Sequence, residues 1–433
     1  MIGTETILNE KEAQKAKAEL SELSHALSTH STFDSLVAGL PVTAIDGVRK
    51  ALVSEKVELD SMLIAYEEAK SGNYADLKKR AGNDPGLALI VARIARGFTQ
   101  KHLARKLGLK EQQIQRYEAD RYRTISIANF RRVASVLGLS WELNLADHWF
   151  GAQDNISAEF SADEVKKILK HARKNAWFDG DLSTSAETEE SFNYLQRYVS
   201  DHLIKYGSPS LLRTGLNVQD RSNDLALMAW RARVTRRAEV IIQANSVDYR
   251  PLDVRWLLEL VKLSAASNGP LLAQEMLLEK GIVLIVEPQI PGMSVDGSAF
   301  LIEGVPIIGL TIRRDTVDNF WFTLLHEIGH VVLHNRSGLA TGFFDDTKNQ
   351  SLDEIELEAD QFASNLLVPD EVWRRSPVRI TKSSNVIEKF ATKVGVHPAI
   401  VFGRLQKERN DYKTFANKIG RGKIRPLFLD ERE

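Results

Sequence analysis

Three hydrophobic periodicities succeed one another along the chain. In residues 8 to 70, Leu20, Leu23 and Leu27, then Leu52, Leu59 and Leu63, recur at helical spacing among many charges, which predicts two or three amphipathic helices. Turn residues at Ser71-Gly-Asn and Ala81-Gly-Asn-Asp-Pro-Gly86 bound a linker after them. From about 145 to 275 the pattern is again helical, with Trp149, Trp177, Trp230 and Trp256 read as core aromatics and Arg231-Ala-Arg-Val-Thr-Arg-Arg237 as a solvated basic face. A change to short apolar runs follows. Gly281 to Glu287, Ser298 to Ile302 and Pro306 to Ile312 read as strands, with a tight hairpin turn at Glu303-Gly304.

Helical spacing returns immediately afterwards. Phe320, Leu324, Leu325, Ile328 and Val331 form one apolar side of a helix that Asp318 is placed to cap. A second amphipathic helix is expected over 352 to 369, with Ile355, Ala359, Phe362, Ala363 and Leu366 inward and Pro369 at its end. Beyond 385 the cadence is helix, glycine turn, helix, and residues 404 to 425 carry eight basic side chains against two acidic ones. We read this end as a helical cap on the preceding domain.

The first of these two central helices carries chemistry. His326 and His330 stand four apart, so on a helix both rings can face one Zn²⁺, while Glu327 projects beside them toward a water whose proton it can take. A catalytic zinc takes a third protein ligand. Glu356 and Asp360 are also four apart on the next helix, so Glu356 can reach the metal while Asp360 accepts a hydrogen bond from the outer nitrogen of a ligand histidine. Glu358, on a different face, is the alternative ligand. His334 extends the row of histidines, but a straight helix carries its ring about 12 Å from the first, which gives it a packing or supporting role. His397, ahead of Pro398 at a helix start, is not read as a ligand. Asp296 and Gly297 precede the second strand without an assigned role.

Charge singles out a second region. Residues 91 to 140 hold eleven Lys and Arg against three acids, a net +8 in a chain whose formal net charge is −1, which points to a polyanion. Thr99 caps a helix that ends at Gly108, and Lys110 to Glu118 follows as the next helix with Ile114 and Tyr117 inward. Gln112, Gln113, Gln115 and Arg116 then project outward, a face suited to adenine and guanine edges in the major groove.

The remaining composition narrows the setting. With 433 residues and 43% apolar content the chain can bury more than one core. The absence of cysteine excludes disulfides and thiolate metal sites and forces a metal onto His and carboxylate. Without a basic-then-apolar leader or an apolar run near eighteen residues, a cytoplasmic location with no membrane partner is expected.

Two resemblances follow from these residues. Phe320-Trp-Phe-Thr-Leu-Leu-His-Glu-Ile-Gly-His330, Glu356-x-Glu-Ala-Asp-Gln-Phe-Ala363 and Leu366-Leu-Val-Pro369 resemble the ImmA/IrrE metallopeptidases over roughly residues 250 to 375, with no departure at His326, Glu327 or His330. Residues 86 to 140 resemble the XRE, or Cro/repressor-like, helix-turn-helix, which implies that Gln100 contacts the DNA backbone and that Gln112, Gln113 and Gln115 read bases. The fold expected is multidomain and mainly α, with an α+β zincin-like metallopeptidase domain made of a small sheet and the HExxH helix. The divisions expected are an N-terminal helical region at 1–80, the helix-turn-helix at 85–140, a helical connection at 145–250, the peptidase domain at 251–375 and a basic helical extension at 376–433. The resemblances imply a DNA-binding regulator, most simply a homodimer on an operator, whose zinc peptidase cuts a regulatory protein or itself under stress or on another signal. The competing reading is a non-catalytic repressor, such as the antitoxin of a toxin-antitoxin pair, that uses the peptidase fold as a sensor or partner platform.

Overall fold

A computed structural model describes residues 6–82, 84–140, 162–177, 189–206, 225–334, 339 and 352–429. Trp149 lies outside the described residues. The N-terminal helices are α1 (Glu10–Ala26), α2 (His30–Leu36), α3 (Val42–Lys70) and α4 (Ala75–Ala81). They are followed by α5 (Pro85–Ala95), α6 (Gln100–Leu107), α7 (Glu111–Ala119) and α8 (Ile127–Val136). The described residues cluster into two compact units. One holds residues 53–140 with 6–29, and the other holds residues 30–52 with those from 162 onward. No helix among the described residues is long and apolar enough to cross a membrane.

In the first unit, local signals set the helix boundaries. Asp84 accepts hydrogen bonds from the backbone N–H groups of Gly86 and Leu87, and Pro85 begins α5 with its fixed φ. Thr99 accepts from His102 N–H at 3.0 Å, and Gly108, with φ +68°, ends α6 in the left-handed region that favours glycine. The unit is pinned by a buried ion pair. Glu118 of α7 accepts from Arg93 Nε at 2.5 Å and Nη2 at 2.9 Å, and Arg93 also donates to the carbonyls of Leu8 and Phe98. Every donor nitrogen of that guanidinium is therefore satisfied, which is what makes its burial tolerable.

The second unit is organised around a small mixed sheet. Its helices before the sheet are α9 (Ala162–Lys174), α10 (Glu189–Tyr206), α11 (Leu225–Ala244), α12 (Trp256–Leu263) and α13 (Gly269–Glu279). The strands are β1 (Val283–Val286), β2 (Gly297–Ile302) and β3 (Val305–Leu310), in the order β1-β3-β2. β1 runs parallel to β3, and β2 pairs with β3 as an antiparallel hairpin. Glu303 and Gly304, at φ +53° and +83°, make the two-residue turn of positive φ that matches strand twist.

Helices cover both faces of this sheet, which accounts for strands that are apolar throughout. On one face, Gly309 admits the indole of Trp230 from α11; a Cβ there would stand 2.8 Å from the ring. Gly297 is paired with Leu310 and Ser298 with Gly309, so side chains at 297 point to the opposite face, toward α14 (Val317–Leu333). Trp177, Trp230, Leu227 and Val234 join Val283, Ile285, Phe300 and Ile307 in one core.

Two expectations are corrected here. Thr316, not Asp318, is the N-cap of α14, and without a side-chain cap the first N–H of the helix, from Val317, donates to the carbonyl of Ile419. Tertiary contact has replaced the local cap. The stretch 231–237 is not a solvated face either. Glu287, wholly buried just beyond β1, accepts from Trp177 Nε1 at 2.8 Å and Arg237 Nη1 at 2.9 Å, with Arg233 at 3.7 Å. Arg231 stacks over Phe300 and Arg236 over Tyr198. A buried carboxylate needs such partners.

After α14 come α15 (Leu352–Leu367), α16 (Asp370–Arg374), α17 (Ser384–Val394), α18 (Pro398–Arg409) and α19 (Arg425–Leu429). The inward residues of α15 are Ile355, Ala359, Phe362, Ala363 and Leu366, all buried. Gly329 lets α15 approach closely, since a Cβ would stand 3.2 Å from Ala359 Cα. That approach brings the acidic face of one helix to the histidines of the other.

Candidate functional site

His326 and His330 lie one turn apart on α14 and are both buried. Their Nε2 atoms are 3.1 Å apart. From α15, Glu356 places Oε2 3.3 Å from His326 Nε2 and Oε1 3.4 Å from His330 Nε2. The surrounding partners set the tautomers. His326 Nδ1 is 2.9 Å from Asp360 Oδ1 and donates to it. His334 Nε2 is 3.1 Å from Glu358 Oε2, which leaves its Nδ1 to accept from His330 Nδ1 at 3.4 Å. Both imidazoles therefore turn lone pairs at Nε2 toward the Glu356 carboxylate.

Lone pairs converging at such separations repel unless a cation lies among them. Ligands about 2.05 Å from a tetrahedral ion are about 3.3 Å from one another, and the three contacts of this triad, 3.1, 3.3 and 3.4 Å, match that edge. The donor set of His326, His330 and Glu356 thus fits a metal ion. Glu358 does not join it. Its carboxylate is on His334, with Lys50 of α3 4.0 Å away.

Burial and charge tune the donors. Burial pushes the His330 pKa down to about 4, against the pull of the facing Glu356 carboxylate. Burial alone would raise Glu356, but the pull of the His326 and His330 rings facing it outweighs burial and holds the carboxyl well below its ordinary value. The sign for metal-free protein follows. An unfolded chain takes up a proton at His330 near pH 6.5 that the folded chain refuses until about pH 4, so acidification across that interval favours unfolding. His171 and His397, lowered chiefly by burial, act in the same direction. In the presence of chelator, the denaturant midpoint is expected to fall between pH 7 and pH 5. A midpoint that holds or rises contradicts this assignment.

Glu327 stands beside the triad, and its surroundings include a residue that sequence reasoning left without a role. A Cβ at Gly297 would lie 2.5 Å from Glu327 Oε1 and 2.9 Å from Thr323 Cγ2. β2 therefore begins with the one residue that leaves space for that carboxylate. A glycine at the edge of a strand pattern is the signal that marks such an approach. Asp296 accepts both Nε and Nη2 of Arg313 at 2.8 Å, and its carbonyl accepts from Thr311 N–H. Since ladder bonding alternates, Gly297, Ala299 and Leu301 turn their peptide groups toward the outer edge of β2.

In the other unit, the sequence-derived DNA-facing residues separate. Gln112, Gln115 and Arg116 are exposed on α7, while Ile114 and Tyr117 are buried beneath them. Gln113 is half-buried, and its Oε1 accepts from the Lys110 N–H at 3.5 Å. Gln100 is half-buried too, donating from Nε2 to Glu118 Oε2 at 2.8 Å.

Residues 278–406 match the IrrE N-terminal-like domain, a peptidase family, and residues 89–144 match a helix-turn-helix family. No curated protein and no solved structure matches the chain.

Proposed function

From a chain that joins a helix-turn-helix DNA-binding domain to an IrrE-like peptidase-family domain, we propose a DNA-bound regulator that cleaves a regulatory protein, or itself, by metal-dependent peptide hydrolysis. The observation that carries this reading is the convergence of His326, His330 and Glu356 beside Glu327 at the outer strand of the sheet. His326, His330 and Glu356 would hold the ion, and two imidazoles with one carboxylate favour Zn²⁺. When bound, such an ion supplies Lewis acidity toward a carbonyl and makes water acidic enough to attack at neutral pH.

The chain's own residues do the rest. An extended substrate segment adds to the edge of β2, where Gly297, Ala299 and Leu301 offer backbone groups. Glu327 takes the proton from the attacking water and delivers it to the departing amine. Asp360 holds His326 in its Nδ1–H tautomer, and Glu358 does the same for His330 through His334.

On the DNA side, Gln112, Gln115 and Arg116 are the base-reading residues. Gln113 supports the start of α7, and Gln100 ties α6 to Glu118. A single helix-turn-helix holds DNA weakly, so the active species is a homodimer on a two-part operator. Two arms test this reading with the Zn²⁺-loaded full chain. Footprinting on the adjacent promoter should give protection that is lost in the Gln112→Ala/Gln115→Ala/Arg116→Ala variant, with affinity lowered more than about 100-fold at two or more lost base contacts. Mixing with the proteins encoded nearby should give fragments that chelator prevents. An unchanged footprint refutes the recognition face, and fragments that persist in chelator refute the metal step.

A further inference from the structure

A cavity of about 490 Å³ opens beside the candidate metal centre. Its wall includes Phe322 and Thr323, one turn ahead of His326 and Glu327, with Leu367 and Ile400 completing an apolar interior. The Phe322 and His326 rings are 6.4 Å apart, and Lys407 lies 3.7 Å from Asp360, the carboxylate on His326. Whatever fills this space lies about one helical turn from the His326 and Glu327 positions.

Four cations line the cavity, Arg313, Arg314, Arg404 and Lys407, against two acids, Asp296 and Asp318. Arg313 is neutralised by both oxygens of Asp296, and Arg404 is spent on Asp370 and the carbonyl of Val368. Two cations are less tightly engaged, although Lys407 lies 3.7 Å from Asp360. Arg314 is exposed, and Lys407, whose side chain is 62% exposed, sits over the Phe322 ring. The acid on the opposite side is Asp318, on which the charge of Arg314 acts. Asp318 Oδ1 is buried with no hydrogen-bond partner, and the carboxyl is pressed against Gly403, where a Cβ would collide with it. Burial pushes its carboxyl pKa up, against hydrogen bonds from Thr316 and Asn319 and the charge of Arg314.

We propose that this cavity is a specificity subsite that receives an acidic side chain of the substrate, next to the scissile bond, with Arg314 and Lys407 as its selecting residues. The inference rests on the endopeptidase reading given above. A glutamate fits both parts of the site, because its methylenes lie on Phe322, Leu367 and Ile400 while its carboxylate reaches the two cations. A lysine in the same place meets like charge.

The test uses the Zn²⁺-loaded full chain bearing Glu327→Gln, so that binding is read without turnover, and labelled peptides, otherwise uncharged, that differ only in a central Glu, Gln or Lys. At low ionic strength the Glu peptide is expected to bind about tenfold more tightly than the Lys peptide, and the gap should narrow with salt. Adding Arg314→Glu and Lys407→Glu should reverse the order. Because Lys407 also touches Asp360, Arg314→Glu alone is measured with bound zinc quantified, and it should remove most of the preference at full metal content. Equal binding of all three peptides, no binding, or a preference that Arg314→Glu leaves intact overturns the proposal. Glu-selective binding to a protein that cleaves none of these peptides in its wild-type form leaves the subsite standing and counts against the peptidase reading instead.

Discussion

Gly297→Ala is expected to lower peptide cleavage by about 10²- to 10⁴-fold while leaving the fold and the bound metal intact, the range lost when a positioned general base is removed. The new methyl would occupy the space 2.5 Å from Glu327 Oε1. A carboxylate at the end of two methylenes can swing away from it, whereas the backbone of β2, paired with Leu310 of β3, cannot. The collision therefore relocates the proton acceptor rather than unfolding the sheet. Zinc content, thermal unfolding and single-turnover cleavage separate these outcomes. Cleavage at the wild-type rate would show that Glu327 works from another position, and loss of zinc would show that Gly297 serves the ligands instead.

The second large effect concerns stability. Glu118→Ala leaves the Arg93 guanidinium, 4% exposed, without its carboxylate, and removing one partner of a buried ion pair costs about 3 to 5 kcal/mol. Gln100 and the Tyr122 hydroxyl, 3.5 Å from Glu118 Oε1, lose the same acceptor. DNA retention should fail in this variant although Gln112, Gln115 and Arg116 are untouched. The double variant Arg93→Met/Glu118→Leu removes both charges and should recover much of the stability. Denaturant unfolding of the full chain followed by circular dichroism measures the difference. If Glu118→Ala unfolds at the wild-type midpoint, the pair does not hold the unit together.

What the sequence discloses is what is local. Thr99 and Gly108 mark the ends of α6 because a side-chain cap and a left-handed residue act within one turn. The hairpin at Glu303-Gly304 and the inward stripe of α15 are legible for the same reason. The mainly α, multidomain architecture with a small mixed sheet follows from such periodicities. Features made by distant segments are hidden. Asp318 has good capping chemistry, yet the Ile419 carbonyl takes the N–H at the start of the helix. The arginines of 231–237 look solvated until Glu287, some fifty residues later, turns out to be buried among them. At the metal centre the i,i+4 spacings are visible in the chain, but the separation of Glu356 from Glu358 depends on the roll of α15 against α14. That roll is fixed by Ala359 on Gly329.

The most direct test of the central claim compares wild type with Glu327→Gln, both loaded with Zn²⁺ and both assayed for bound metal and for fragments of the regulatory proteins encoded nearby. Wild type should bind one equivalent and cut, and the variant should bind the same equivalent and leave every protein whole. Fragments of equal yield from the two proteins would contradict the proposed hydrolysis.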